Sequence, residues 1–193
     1  MTVADYKDKN LVVKILANSF YTNQSVNYIV QQGEKRLERI KSLMDYSFEI
    51  CYAFGKVFLS DDKKACALVL FPDLKRTTIK SMLLDAKLIY SCIGIGNMKK
   101  AMSRESKIKN LQPNGPMYYL WFIGVDPIYQ GSGIGTELMH EIIEDSQNQQ
   151  RSVYLETSTL ENLPWYKKFG FEIYNELDLS YKLYFLKLEL AKR

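Results

Sequence analysis

Apolar residues recur at helical spacing from Lys9 to Phe20, where Leu11, Val12, Ile15, Leu16 and Phe20 share a face. A second helical pattern runs from Val26 through Leu37, Ile40 and Met44, so the first part of the chain is expected to be helical. Lys56 to Ser60 and Ala65 to Phe71 are apolar runs joined by the polar turn Asp61-Asp62-Lys63-Lys64, the pattern of a β-hairpin, and Pro72 closes the second strand. Between Thr77 and Asn110 the positions Ile79, Met82, Leu83, Ala86 and Ile89 again have helical spacing, followed by Gly94, Gly96 and a basic segment from Lys99 to Lys109. This stretch, residues 77–110, reads as an insertion of one or two helices.

Pro113-Asn114-Gly115-Pro116 is turn chemistry and ends the insertion. Met117 to Val125 is a nearly continuous apolar and aromatic run, as expected of a strand buried on both faces. A helix is predicted from near Gly133, with Ile134, Leu138, Met139, Ile142 and Ile143 on its apolar face and Glu137, His140, Glu141 and Glu144 on the polar one. Arg151 to Thr157 reads as a strand and Asn162 to Phe169 as a short helix with Pro164 in its first turn. Phe171 to Leu179 and Tyr181 to Leu190 form a closing β pair. The order is helices, hairpin, insertion, then β–α–β–α–β–β, an α/β chain. With 193 residues and 47% apolar content, one domain spanning 1–193 is expected.

Twenty-six basic residues against twenty-two acidic give a net charge of +4, too weak and dispersed to mark a nucleic-acid binder. The basic residues of Lys99 to Lys109 are interrupted by Met102, Glu105 and Ile108 and lack interleaved aromatics, so they read as a solvated helix face. Cys51, Cys66 and Cys92 are far apart and lack CxxC spacing, which argues for buried thiols, no disulfide framework and no metal site. Met1 to Asn10 carries four charges and no apolar core of a signal peptide, and the uncharged run Leu88 to Met98 falls short of the ~20 residues of a spanning helix. The expected location is cytoplasmic, with neither nucleic acid nor membrane as partner.

Three glycines lie in Val125-Asp126-Pro127-Ile128-Tyr129-Gln130-Gly131-Ser132-Gly133-Ile134-Gly135-Thr136, between the buried strand and the amphipathic helix. Glycine there lets successive amides converge, and the helix that follows adds its positive N-terminus, so the turn suits a phosphate or pyrophosphate. No Lys-Ser or Lys-Thr follows the last glycine, which excludes a P-loop. Gly131 and Gly133 fit the first two positions of a dinucleotide fingerprint, but the third is Thr136 and the chain ends too soon to complete a six-stranded sheet.

Val125-Asp-Pro-x-x-Gln130-Gly-x-Gly133-Ile-Gly135 resembles the acyl-CoA signature Q/R-x-x-G-x-G/A of the GNAT N-acetyltransferases. Downstream, Tyr154-Leu-Glu-Thr157 and Asn162-Leu-Pro-Trp-Tyr166-Lys-Lys-Phe-Gly170-Phe171 resemble the closing strand–helix–strand of that family, in the right order. Leu155 to Ser158 and Asn162 to Tyr166 are most similar to its puromycin-acetyltransferase-like branch. The resemblance covers about Tyr118 to Phe171, with an acyl-CoA motif over 118–143. It implies the GNAT fold, a central mixed and mostly antiparallel sheet flanked by helices.

The resemblance also implies a reaction: direct attack of an amine on the thioester of acetyl-CoA in a ternary complex, without metal or covalent acyl-enzyme. On it, the phosphates fall to the backbone of Gly131, Ser132, Gly133, Ile134, Gly135 and Thr136 beside Gln130. The pantetheine arm pairs along Ile123, Gly124 and Val125 like an added strand, and the Val125 amide serves the thioester oxygen. Tyr166, four residues before Gly170-Phe171, is the acid for the departing thiolate. Asn162 touches the CoA arm or caps the short helix. The Tyr118 to Val125 strand lacks the acidic residue several relatives carry. Glu156, in an otherwise apolar strand, is the best side chain for a general base, where burial would raise its pKa; a relayed water, Tyr118 or Tyr119 are alternatives. His140 falls on the charged helix face.

The acceptor is expected to meet the N-terminal helices and the insertion, and a small hydrophobic or aromatic primary amine fits their composition. A binding module without turnover, suggested by the missing strand acid, and an acetyltransferase of protein N-termini or lysines stand as alternatives. Tyr174, Tyr181 and Tyr184 suit either a homodimer contact or a core.

Overall fold

The computed structural model describes residues 1–190, so the span 1–193 drawn above runs three residues past the described chain. Helix α1 covers Lys9–Ser19, α2 Gln24–Ile29 and α3 Arg36–Phe54. The second periodic stretch is therefore two helices. Asn23 caps α2 by accepting from the Val26 amide at 3.1 Å. The chain then reverses through Gly33 at φ +124°, a conformation that disfavours side chains. Arg39 Nη1 satisfies the carbonyls of Gln31 and Gln32, at 2.9 Å each, across that reversal.

The sheet has seven strands in the order β1-β2-β3-β4-β5-β7-β6. They are β1 Thr2–Val3, β2 Gly55–Leu59, β3 Ala65–Leu70, β4 Tyr118–Val125, β5 Val153–Thr157, β6 Glu172–Asp178 and β7 Lys182–Leu188. All neighbours are antiparallel except β4 and β5, which is the mixed, mostly antiparallel sheet expected. Strand β1, two residues long, was not predicted and has no periodicity to reveal it. Helix α6 (Ile134–Asn148) and the short α7 (Leu163–Lys168) follow β4 and β5.

Alternation along the strands sends their apolar side chains to two faces. Cys66, Leu68, Leu70, Tyr119 and Phe122 face α1 and α3, while Ala67, Val69, Tyr118, Leu120 and Leu155 face α6 and α7. Phe48, Tyr118 and Phe185 are among the largest fully buried side chains. Each fully buried large apolar side chain contributes on the order of 1.5–3 kcal/mol. The insertion consists of α4 (Ile79–Leu88), a π-helical turn at Ile89–Ile93 and α5 (Met98–Leu111). Thr78 and Ser81 form a reciprocal capping box that starts α4. Ile108 of α5 packs with Leu183 and Phe185, so the insertion roofs the α1–α3 side of the sheet.

Candidate functional site

Parallel pairing between β4 and β5 exists only at Tyr118↔Val153 and Tyr119↔Tyr154, after which the strands separate. The cause lies in β4. Leu68 of β3 pairs with Phe122 and Val69 with Leu120, leaving Trp121 as the extra residue of a β-bulge. A bulge bends its strand and sharpens the twist, turning the second half of β4 away from β5.

Beyond the bulge the free groups of β4 point into the gap. The Asp126 amide donates to the Lys64 carbonyl at 2.8 Å, while Ala65 turns its own amide and carbonyl to Ser60 on the β2 side. Val125, opposite Ala65, therefore aims its amide away from β3, and by strand alternation so does Ile123. The Val125 carbonyl accepts from Gln130 Nε2 at 3.3 Å and lies 2.6 Å from Ser19 Oγ. Gly124 faces the other way, where a Cβ would come within 3.0 Å of Leu16 and 3.1 Å of Ser19. Glycine at this position lets α1 lie directly on the end of β4.

Asp126 then caps a 3₁₀ turn, Pro127–Tyr129, by accepting from the Ile128 amide at 3.2 Å. Gly133 is the N-cap of α6 at φ +91° and has no side chain to close the helix end. Its carbonyl takes the amides of Thr136 (2.8 Å) and Glu137 (3.1 Å). Among the described residues the amides of Gly131, Ser132, Gly133, Ile134 and Gly135 have no partner. Five free donors at the positive end of a 15-residue helix make an anion cradle. Thr136 contributes its hydroxyl, which accepts from Trp165 Nε1 at 3.2 Å.

One continuous cleft of about 1400 Å³ runs from this cradle through the β4–β5 gap to a wall made by α1, α2 and the insertion. Tyr166, Glu156, Ile123 to Val125, Gln130 to Thr136, Asn162 and Tyr119 line it, whereas Tyr118 faces α6 and donates its hydroxyl to Asp145 at 2.9 Å. Tyr166 is buried, edge-on to Trp165 (4.9 Å) and Phe171 (5.7 Å), and burial pushes its phenol pKa up. Its hydroxyl has no hydrogen-bond partner among the described residues. Asn162 occupies the N-cap of α7 but does not cap it. The 3₁₀ turn Leu160–Asn162 runs straight into the helix, leaving Asn162 at φ −84°, ψ −15°, where its side chain stays free.

Glu156 receives hydrogen bonds from the Tyr119 hydroxyl and from Gln112 Nε2 at 3.0 Å. Burial pushes its carboxyl pKa above the ordinary value, against the pull of those donors and of the Arg104 charge. Burial likewise pushes Tyr119 well up, and the Glu156 carboxylate adds to that.

Sequence reasoning missed Gln112, which ends α5 and carries no local signal. It also misread Arg104. Lys99, Lys100, Lys107 and Lys109 are solvated as expected, but Ala101, Arg104 and Ile108 form the inward face of α5 and bring Arg104 into the cleft wall. That spacing of three and four residues was the available clue. His140 is exposed, edge-on to Phe169 at 5.0 Å. All three cysteines are buried and free, and among the described residues there is no His, Cys, Asp or Glu cluster able to hold a metal.

Residues 101–173 match the model of the acetyltransferase (GNAT) domain. A Corynebacterium glutamicum acetyltransferase named for histone acetyltransferase HPA2 superposes with a TM-score of 0.69 at 15% identity, covering 99% of this chain and 96% of that one. Arylalkylamine N-acetyltransferase 2 of Aedes aegypti gives 0.66 at 15% identity, with 98% of each chain covered. The Drosophila melanogaster polyamine N-acetyltransferase, which forms N-acetylagmatine, gives 0.64 at 14% identity over 97% of this chain and 98% of that one. The chain shares the fold of these acetyltransferases, and its residues 101–173 are similar to the GNAT domain. Proteins of that class use acetyl-CoA as the acyl donor.

Proposed function

We propose that this chain transfers the acetyl group of acetyl-CoA to the primary amine of a small molecule by direct attack in a ternary complex. The observation that carries this reading is the single cleft joining five free amides, the Ile123 and Val125 backbone and the Glu156 carboxylate. These groups fit acetyl-CoA: the cradle suits its phosphates and the open edge of β4 suits its extended arm. The bound donor supplies an activated acetyl thioester.

Glu156 takes the proton of the acceptor ammonium, a task that its burial, by raising the carboxyl pKa, makes easier. The C–N bond forms as the C–S bond breaks, with the Val125 amide meeting the charge on the acyl oxygen. Tyr166 gives its proton to the departing thiolate and recovers one by way of solvent as the acylated nitrogen sheds its second proton to become the amide. Its high pKa keeps it protonated until then. The free Asn162 side chain supports a contact with the donor arm.

Phe20, Tyr46, Trp121 and Phe122 line the acceptor end and support a hydrophobic or aromatic amine. The arylalkylamine named for the mosquito protein points the same way, while the polyamine named for the fly protein supports only a small amine. The wording Leu155 to Ser158 and Asn162 to Tyr166 supports the puromycin-acetyltransferase-like branch. One seven-stranded sheet spanning the described chain supports a single domain, with the insertion as the substrate-side wall. Three unpaired thiols suit the cytoplasm. Tyr174 and Tyr181 pack within the protomer, which leaves the homodimer to the edge strand β6 and a light-scattering test.

Calorimetry of acetyl-CoA on the wild type and on Gly133→Glu tests the donor site. A glutamate at this positive φ adds strain and a repelling charge, and affinity should fall about 100-fold or more. No binding by folded wild type would remove the proposal.

A further inference from the structure

The acceptor end of the cleft holds two opposite charges that do not satisfy each other. Arg104 reaches it from the inward face of α5 with only 11% of its side chain exposed. Its Nε donates to the Tyr181 hydroxyl at 3.0 Å and its Nη2 to Ser25 Oγ at 2.6 Å. Those two hydroxyls stand 3.3 Å apart, so α2 and the turn between β6 and β7 hold the guanidinium from two sides. Hydroxyls fix its direction but bring no charge.

Among the described residues its one ion pair, at 2.8 Å, is with Glu105, the next residue in sequence, whose side chain is 57% exposed. Water screens such a partner, and a poorly compensated buried charge is costly. Three of the five guanidinium donors are used, leaving one on each terminal nitrogen. The other basic residues of the wall, Lys75, Arg76 and Lys109, are exposed.

Glu156 lies close enough for the Arg104 charge to act on it, yet no hydrogen bond joins them. Tyr119 and Gln112 hold the carboxylate instead. A largely buried cation and anion thus share a chamber that Phe20, Tyr46, Trp121 and Phe122 also line. We propose that the acceptor is an aminocarboxylate with an apolar or aromatic side chain, its carboxylate on Arg104 and its amine toward Glu156. A planar fork is the natural partner of a carboxylate. This deepens the acetyl-transfer reading and rests on it.

The test is thiol release with matched pairs, phenylalanine against phenethylamine and leucine against isoamylamine, on wild type, Arg104→Gln and Arg104→Lys. Wild type should favour the carboxylate member of each pair, and Arg104→Gln should lower that preference ratio about 10–100-fold, mainly through KM. Arg104→Lys should recover part of the ratio. Acetyl-CoA calorimetry on each variant reports folding separately. Equal loss for both members of a pair, or a wild type that favours the plain amines, overturns this proposal and leaves acetyl transfer standing. No turnover of any member by wild type that binds acetyl-CoA overturns both.

Discussion

The two ends of the cleft are built from different materials. The end proposed for the donor is backbone: free amides of Gly131 to Gly135, the open edge of β4 and a bare helix terminus, supplied by residues 123–136. The acceptor end is side chains from scattered places, with Ser25 on α2, Arg104 and Gln112 in or after the insertion, Tyr119 on β4, Glu156 on β5 and Tyr181 near β7. Backbone recognition needs glycines at fixed spacing and so leaves a compact signature. Side-chain recognition needs only that the fold bring distant positions together. The backbone end is therefore readable in the sequence, whereas the side-chain end leaves no compact signature.

Four substitutions test that division. Glu156→Gln should cost the most, about 10²–10⁴ in kcat/KM, with acetyl-CoA affinity retained. In wild type kcat/KM should fall as pH drops through the raised Glu156 pKa, because only the carboxylate accepts the proton. The variant should lose that acid limb; a limb that persists in Glu156→Gln assigns the base elsewhere. Gly133→Glu should come next and behave oppositely, losing donor affinity. Tyr166→Phe should lower kcat about 10–100-fold with little change in donor affinity, as measured by stopped-flow thiol release. Full kcat in this variant would make Tyr166 a packing residue. The smallest effect is expected from Tyr119→Phe, which removes a hydrogen bond that stabilises the Glu156 carboxylate. The acid limb should then move to higher pH, and an unmoved or lowered limb contradicts the assigned coupling.

Most of the architecture was legible because periodicity reports burial directly. The α1 face, the β2–β3 hairpin, the β4 run and the amphipathic α6 all emerged with their neighbours in order. The break between α2 and α3 did not, because both helices bury residues in the same core and the linker, residues 30–35, holds only one glycine, Gly33. The bulge at Trp121 left no mark either, since an extra aromatic in an aromatic strand changes no pattern. At the site, the glycine loop and Tyr166 stood out by motif and Glu156 as a charge in an apolar strand, and the structure brings them to one cleft. Arg104 was lost among lysines that share its helix and differ only in direction. Asn162 was left open between capping and binding, and its αR backbone removes the capping alternative.

The seam between β4 and β5 carries only two residue pairs, so the sheet is two leaves, one of four strands and one of three, stitched at one end. A ligand arm that hydrogen-bonds along the open stretch acts as an eighth strand and completes the weave. The stiffness of the sheet across its middle then belongs to the complex and not to the polypeptide alone. Heat resistance should follow occupancy accordingly, since whatever binds only the folded form stabilises it by mass action.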